Sequence, residues 1–278
     1  QTVGIAWLTL ASGDLRITTC PQTDFAQHIA RIAPAQWLCV TEQAELLTHL
    51  TQDIASLAPP DQGLVPSWLW SAQEGQARLT QLLDLPDLQA IGIDQVAEHA
   101  LAFTALSALL SFAAHTQGLG WEGKLPHIPT CVLENHQSFI SMDAATRRNL
   151  ELTQTLRGES EPTLFSLLDA CENPMGSRLL RHCIHHPLRS QVETAKRHQA
   201  IEMLLGEYFV LQEIRSFLKQ IADIERIASR IALRSIRPRD LASLRDTLQI
   251  LPKAQELLQI FGQEGSYLRQ LTSDLDTP

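Results

Sequence analysis

The order of apolar and polar residues changes character along the chain. Up to about residue 142, short apolar runs and alternating segments separate brief helical stripes; beyond it, apolar positions recur almost entirely at helical spacing. Residues 3–10 and 14–19 read as two strands joined by a turn at Ser12-Gly13. Phe25, Ile29 and Ile32 set a helical stripe ending before Pro34, and 37–40 reads as a brief apolar strand. Residues 42–54 predict a helix with Leu46, Leu47, Leu50 and Ile54 inward, followed by a loop over 59–63. Residues 64–70 read as a strand, with Pro66 pointing to a sheet edge. The spacing predicts a helix over 74–83 and a long one over 96–117, apolar nearly all round. A loop over 118–123 and short β segments at 130–133 and 138–142 complete this part. Strands that begin as a hairpin and then alternate with helices predict an α/β domain with a mixed sheet.

The second part reads as an all-α domain with helices over 143–154, 163–170, 174–185, 190–205, 207–220, 223–235, 238–260 and 262–272. Its sharpest local signal is the stretch 163–188. Thr163 can cap a helix whose apolar side is Leu164, Leu167 and Leu168. Asn173 and Pro174 end that helix and start another, since Asn caps well and Pro is tolerated in a first turn. The new helix would carry Met175, Leu179, Leu180, Cys183 and Ile184 inward, with Arg178 and Arg181 on its flank, and stop at Pro187. Gly176 and Ser177 inside it predict close approach of another backbone. Further on, Pro238 restarts a helix and Asp240 adds negative charge to its first turn.

Charge sharpens the boundary. Residues 1–140 carry four cations (Arg16, Arg31, Arg78, Lys124) against thirteen Asp/Glu, while the remainder balances eighteen against eighteen. All five Trp lie in the first part. Two domains, 1–140 and 141–278, follow, and the acidic one is unsuited to phosphate contact. The five cysteines form no CxxC pair, which predicts reduced, mostly buried thiols rather than a zinc site and fits a cytoplasmic protein. Without a run of about 18 apolar residues, no membrane span is expected. The start, QTVGIAWLTL, has neither a basic segment nor an initiator Met, and predicts a cut piece of a longer protein.

Three ordered segments carry a resemblance: MDAATRRNLEL (142–152), TLFSLLDACENPMGSRLLRHCIHHPLRS (163–190) and DIERIASRIALRSIRPRDLASLRDTL (223–248). Together they resemble the helical core, or lever, domain of bacterial MutS proteins of DNA mismatch repair. The resemblance implies that 1–140 is the connector domain, an RNase H-like fold lacking its first strand, and that 141–278 is the first part of the core domain, cut before the clamp. It therefore predicts an open sheet edge at 3–10 and poorly anchored last helices. It implies a mechanical role: coupling mismatched-DNA binding to the ATPase, with bending near 140 and at the corner 169–176. It also implies MutL as a partner, docking on the first domain around Gln73, Gln76, Arg78 and Gln81; without the resemblance, that helix reads as an ordinary solvated face. ATP and Mg belong to the full-length protein, and no cofactor is expected in this chain. The MutS dimer and mismatched DNA would be engaged through other domains, so this chain is expected to be a monomer in dilute solution and not an enzyme.

No GxxxxGK[ST] phosphate loop, GxSxG elbow or Phe-x-Glu element occurs. A nuclease of RNase H type needs converging carboxylates around two metal ions, and the acids Asp14, Asp53, Asp61 and Asp94 are scattered. His182, His185 and His186 could suggest a metal, but a capping role near a helix C-terminus is the simpler reading. Arg226, Arg230 and Arg234 recur every four residues, a candidate DNA-backbone stripe continued by Arg237, Arg239 and Arg245. Intramolecular pairing with Asp223, Glu225, Asp240 and Asp246 is the favoured alternative. A helical adaptor unrelated to repair would require the three segment matches to be accidental.

Overall fold

The computed structural model describes residues 2–40, 42, 45, 61–125, 128–135, 138–261 and 266–275. The chain divides into two compact units: one runs to residue 136 and includes 141–150, the other comprises 137–140 and 151–278. The first is mixed α/β with two small sheets; the second is mostly helical.

In the first unit, β1 (Thr2–Thr9) and β2 (Asp14–Pro21) form the expected hairpin, with Ile5 opposite Thr18 and Gly13 in the left-handed region at φ 72°. Helix α1 (Phe25–Ile32) follows, then β3 (Gln36–Cys39) and β4 (Asp61–Leu64), which pair in parallel as a separate two-stranded sheet. The helix expected over 42–54 lies outside the described residues apart from 42 and 45. The strand expected over 64–70 is corrected: β4 ends at Leu64, and a 3-10 turn occupies Ser67–Leu69. Pro66 removes a ladder donor there, and the Trp70 indole N–H donates to the Val65 carbonyl at 3.3 Å, curling the chain. Helix α2 (Ala72–Leu83) begins at Ser71, whose hydroxyl accepts from the Glu74 N–H. The predicted 96–117 helix opens with a 3-10 turn, Val96–His99, before α3 (Ala100–Thr116). Strand β5 (Thr130–Leu133) joins β2 in parallel, giving the order β1-β2-β5 with β1 at an edge among the described strands.

The core of this unit is α3 against β1, β2 and α2. Leu15, Ile17, Leu79, Phe103 and Leu106 are fully buried there. Residues 96–116 are long and apolar enough to cross a membrane, but Ala102, Phe103, Leu106 and Leu110 are spent on this core. Two glycines make the approach possible. A Cβ on Gly4 would sit 2.1 Å from the Leu101 carbonyl carbon, and one on Gly75 would sit 2.0 Å from the Phe103 carbonyl oxygen. A last helix, α4 (Ala144–Asn149), capped by Asp143, also belongs here. It is shorter than the predicted 143–154, because Glu151 turns left-handed at φ 46°.

The second unit holds α5 (Leu164–Leu168), α6 (Pro174–His185), α7 (Gln191–Gly206), α8 (Tyr208–Leu218), α9 (Ile224–Ala232), α10 (Pro238–Gln259) and α11 (Tyr267–Ser273). Instead of a full strand at 138–142, Phe139 makes a single antiparallel bridge to Leu188. Phe217, Ile221, Ala254 and Leu257 form one core cluster; Ala200, Phe261 and Leu268 form another. The last helix is therefore anchored through Leu268, contrary to the sequence expectation. The apolar side predicted for α5 is corrected too: Leu164, Leu167 and Leu168 are exposed, Leu167 by 82%, as is Leu179 on α6. Phe165 turns the other way, and the Arg181 guanidinium lies 4.5 Å from its ring centroid.

Candidate functional site

The corner between α5 and α6 is built by hydrogen bonds. Thr163 and Ser166 form a capping box, and the Asn173 side chain accepts from the Gly176 N–H at 2.9 Å. Desolvation pushes the Asp169 carboxyl up, but the Ser177 hydroxyl at 3.0 Å and the Cys171 N–H at 3.3 Å both donate to it and hold it below the usual range. Among the described residues, side chains rather than another backbone come nearest to Gly176. Its nearest neighbours are the Cβ of Cys171, 3.2 Å from where its own Cβ would stand, and the Cys171 sulfur. The small residue serves the corner itself.

The candidate docking residues share α2 but not one environment. Gln73 and Gln81 are exposed and Gln76 is half-buried. Arg78 is largely buried: its Nε donates to Glu74 at 3.3 Å and its Nη1 to the Trp121 carbonyl at 2.8 Å. It pins the 121–124 segment to the helix. Trp121 in turn stacks on His115, ring centroids 4.0 Å apart. Arg78 and Gln81 also line a small, open surface cleft with Leu82, Leu110, Glu122, Lys124 and Leu125.

The arginine stripe breaks at its third member. Arg226 pairs with Asp223 at 3.5 Å and Arg230 with Asp240 at 2.8 Å, as the intramolecular reading anticipated. Arg234 lies beyond α9, left-handed at φ 53°. Its N–H donates to Ile231 O and that of Ser235 to Arg230 O, the paired bonds of a Schellman cap. Helical periodicity therefore stops before Arg234, and the three do not form one face. Arg245 pairs with its neighbour Asp246.

The histidines close the end of α6. The His182 carbonyl accepts from His186 Nδ1 at 2.8 Å, so the proton sits on that nitrogen. The two rings stack at 3.9 Å, and His186 is buried edge-on to Phe139. His185 Nε2 is 3.1 Å from the Thr153 hydroxyl. Among the described residues, no three His, Cys, Asp or Glu side chains gather as a metal-holding group. Asp14 is paired with Arg16.

Residues 1–129 match MutS domain II, and residues 145–277 match MutS domain III. The chain belongs to the MutS family. Its two matched regions are the connector and core domains, and no ATPase domain is detected.

Two charge clusters in this MutS chain were not singled out from the sequence. In the core domain, Arg178 of α6 reaches back to the start of α9. It donates to both oxygens of Asp223, at 2.9 and 2.6 Å, and to Glu225, at 2.6 and 3.2 Å. Arg178 holds the Asp223 carboxyl below its ordinary range, and the carboxylates raise Arg178. Asp223 also caps α9 by accepting from the Arg226 N–H. In the connector, Glu134 is buried between Arg31, with which it is ion-paired, and Arg16 at 3.5 Å. Its backbone continues the β2–β5 ladder, with its N–H donating to Ile17 O. Arg31 also donates to His28 at 2.9 Å, leaving that histidine's other nitrogen to carry the proton. Arg147 of α4 is buried, and desolvation together with the Arg31 charge pushes it down to about 10. The sequence signal for the connector cluster is the scarcity of cations in residues 1–140, which makes each one a structural suspect; the core cluster has no such signal.

Proposed function

We propose that this connector and core segment serves mismatch repair as a mechanical and docking element, linking mismatched-DNA binding to the ATPase of the intact MutS and offering MutL the exposed side of α2. The observation that carries the reading is the ordered match to MutS domains II and III over most of the chain. What supports docking rather than DNA contact is the state of the charges. Arg226 and Arg230 each face a carboxylate of the same chain, Asp223 and Asp240, and the connector residues up to 140 are strongly acidic. Gln73 and Gln81, by contrast, stand exposed on a helix fixed by a Ser71 cap and the Gly75 contact. What supports the lever role is the chaining of helices by ion pairs within the core domain, since packed helices tied in this way rotate as units. In this reading no cofactor binds the segment itself.

The test is titration of the chain against purified MutL, with a mismatched duplex run in parallel at the same low salt. The reading expects MutL binding that is weakened by Gln73→Lys, with negligible DNA binding. DNA binding alone, falling steeply with salt, would replace docking by a phosphate-contact role.

A further inference from the structure

We infer that the cleft between α2 and the 122–125 segment receives a carboxylate side chain, Asp or Glu, of the docking protein. This deepens the docking reading and rests on it. The walls carry Arg78, Gln81, Glu122 and Lys124, over a floor of Leu82, Leu110 and Leu125. A small polar group entering on an apolar stem matches that arrangement.

Three observations select an anion. First, the positive charge is placed selectively. Of the four cations in residues 1–140, Arg16 and Arg31 are consumed by Asp14 and Glu134, and the other two both line this cleft. Glu74 on Arg78 and Glu122 at the wall offset their charge, so the selection rests on where the unused donors lie rather than on the net field. Second, Arg78 is pre-organised. Its Nε and one Nη1 hydrogen are bound to Glu74 and the Trp121 carbonyl, fixing the guanidinium plane, while its Nη2 hydrogens have no protein partner among the described residues. A guanidinium fixed in this way loses little entropy when it takes up a carboxylate. Third, Lys124 is exposed and makes no hydrogen bond or ion pair among the described residues, so a second uncommitted cation lines the same cleft. Glu122 also lines the cleft, and it opposes the anion.

The test compares MutL binding of the whole chain with that of Lys124→Glu and Glu122→Gln. Both residues are exposed, and thermal melts of the variants serve as the check on folding. The cleft predicts about tenfold weaker binding for Lys124→Glu, where a carboxylate would now face a carboxylate, and tighter binding for Glu122→Gln, with a shallower salt dependence in the former. If both variants bind within twofold of the parent while Gln73→Lys abolishes binding, the docking reading stands and the carboxylate cleft is overturned. If the parent chain does not bind MutL at all, both are overturned.

Discussion

The Arg178–Asp223–Glu225 cluster makes a prediction whose parts can be separated. Asp223 has two duties: it accepts two charge-assisted bonds from Arg178, and it caps α9 through the Arg226 N–H at 3.4 Å. Side-chain exposures of 32% for Arg178 and 18% for Asp223 put the pair between a surface ion pair and a buried one. Exposed pairs contribute roughly 0.2–1 kcal/mol and hydrogen bonds to charged groups roughly 1.5–3. Discounting for the partial exposure leaves about 1.5 kcal/mol for the pair, and the cap adds about 1 kcal/mol. Asp223→Ala loses both, about 2.5 kcal/mol, whereas Asp223→Asn keeps a good cap and loses only the charge pairing, about 1.5 kcal/mol. Tryptophan distribution provides the readout. All five Trp lie in residues 1–140, so their fluorescence reports the connector, while far-ultraviolet circular dichroism is weighted to the helical core domain. Urea titrations should show the dichroism transition moving to lower denaturant for both variants, further for Asp223→Ala. A double-mutant cycle with Arg178→Ala should return a coupling of about 1 kcal/mol or more. Because Arg178 lowers the Asp223 pKa in the folded state, the pair's contribution is fully present above the unfolded value near 4 and is lost as pH falls through the lower folded value. The stability gap between parent and Asp223→Asn should therefore close at strongly acidic pH. An Asp223→Asn variant as stable as the parent at neutral pH would refute the assignment of stability to the charge pair.

Three further outcomes follow from the packing. Gly75→Ala gains about 1 kcal/mol of helix propensity but places a methyl 2.0 Å from the Phe103 carbonyl oxygen, so α2 and α3 must separate; a net loss of about 1–2 kcal/mol is expected in the fluorescence-detected transition. Arg234→Gly relieves a left-handed arginine at the Schellman cap and should stabilise the core domain by up to about 1 kcal/mol in the dichroism-detected one, whereas a loss would mean the arginine side chain contributes more than its backbone costs. Native alkylation at mildly alkaline pH, read by mass spectrometry, should modify Cys171 and Cys183 and spare Cys20, Cys39 and Cys131; the spared thiols are buried, and burial pushes Cys20 up to about 11 and Cys131 up to about 12.

Where sequence reading succeeded and failed has a physical pattern. Hairpin, capped helix starts and the Asn173-Pro174 corner were legible because their causes are local: a turn glycine, a capping side chain, a proline. Helix ends were less so. A Glu151 or Arg234 in the left-handed region ends a helix without glycine's signature, so periodicity alone extends the first helix to 154 and the arginine stripe one turn beyond its end. The apolar side of α5 was misassigned because periodicity shows that residues share a face, not whether anything covers it, and Phe165 found Arg181 instead.

The partners of charges were the least legible feature, and for a reason that bears on function. Neighbouring carboxylates made Arg226, Arg230 and Arg234 look like one self-paired stripe, yet the strongest claim on Asp223 and Glu225 comes from Arg178, 45 and 47 residues away. A pairing at that separation fastens the helix after the 169–176 corner to the helix that opens at Asp223, where a pairing along one helix would fasten nothing to anything. The same logic holds in the connector, where Glu134 takes Arg31 and Arg16 from α1 and β2. Residues spent on such ties are unavailable to a partner, so the cations left over are the informative ones. In residues 1–140 those are Arg78, half committed, and Lys124, uncommitted among the described residues, and both face one cleft. That remainder, rather than the total charge of the domain, locates the surface on which docking should be sought.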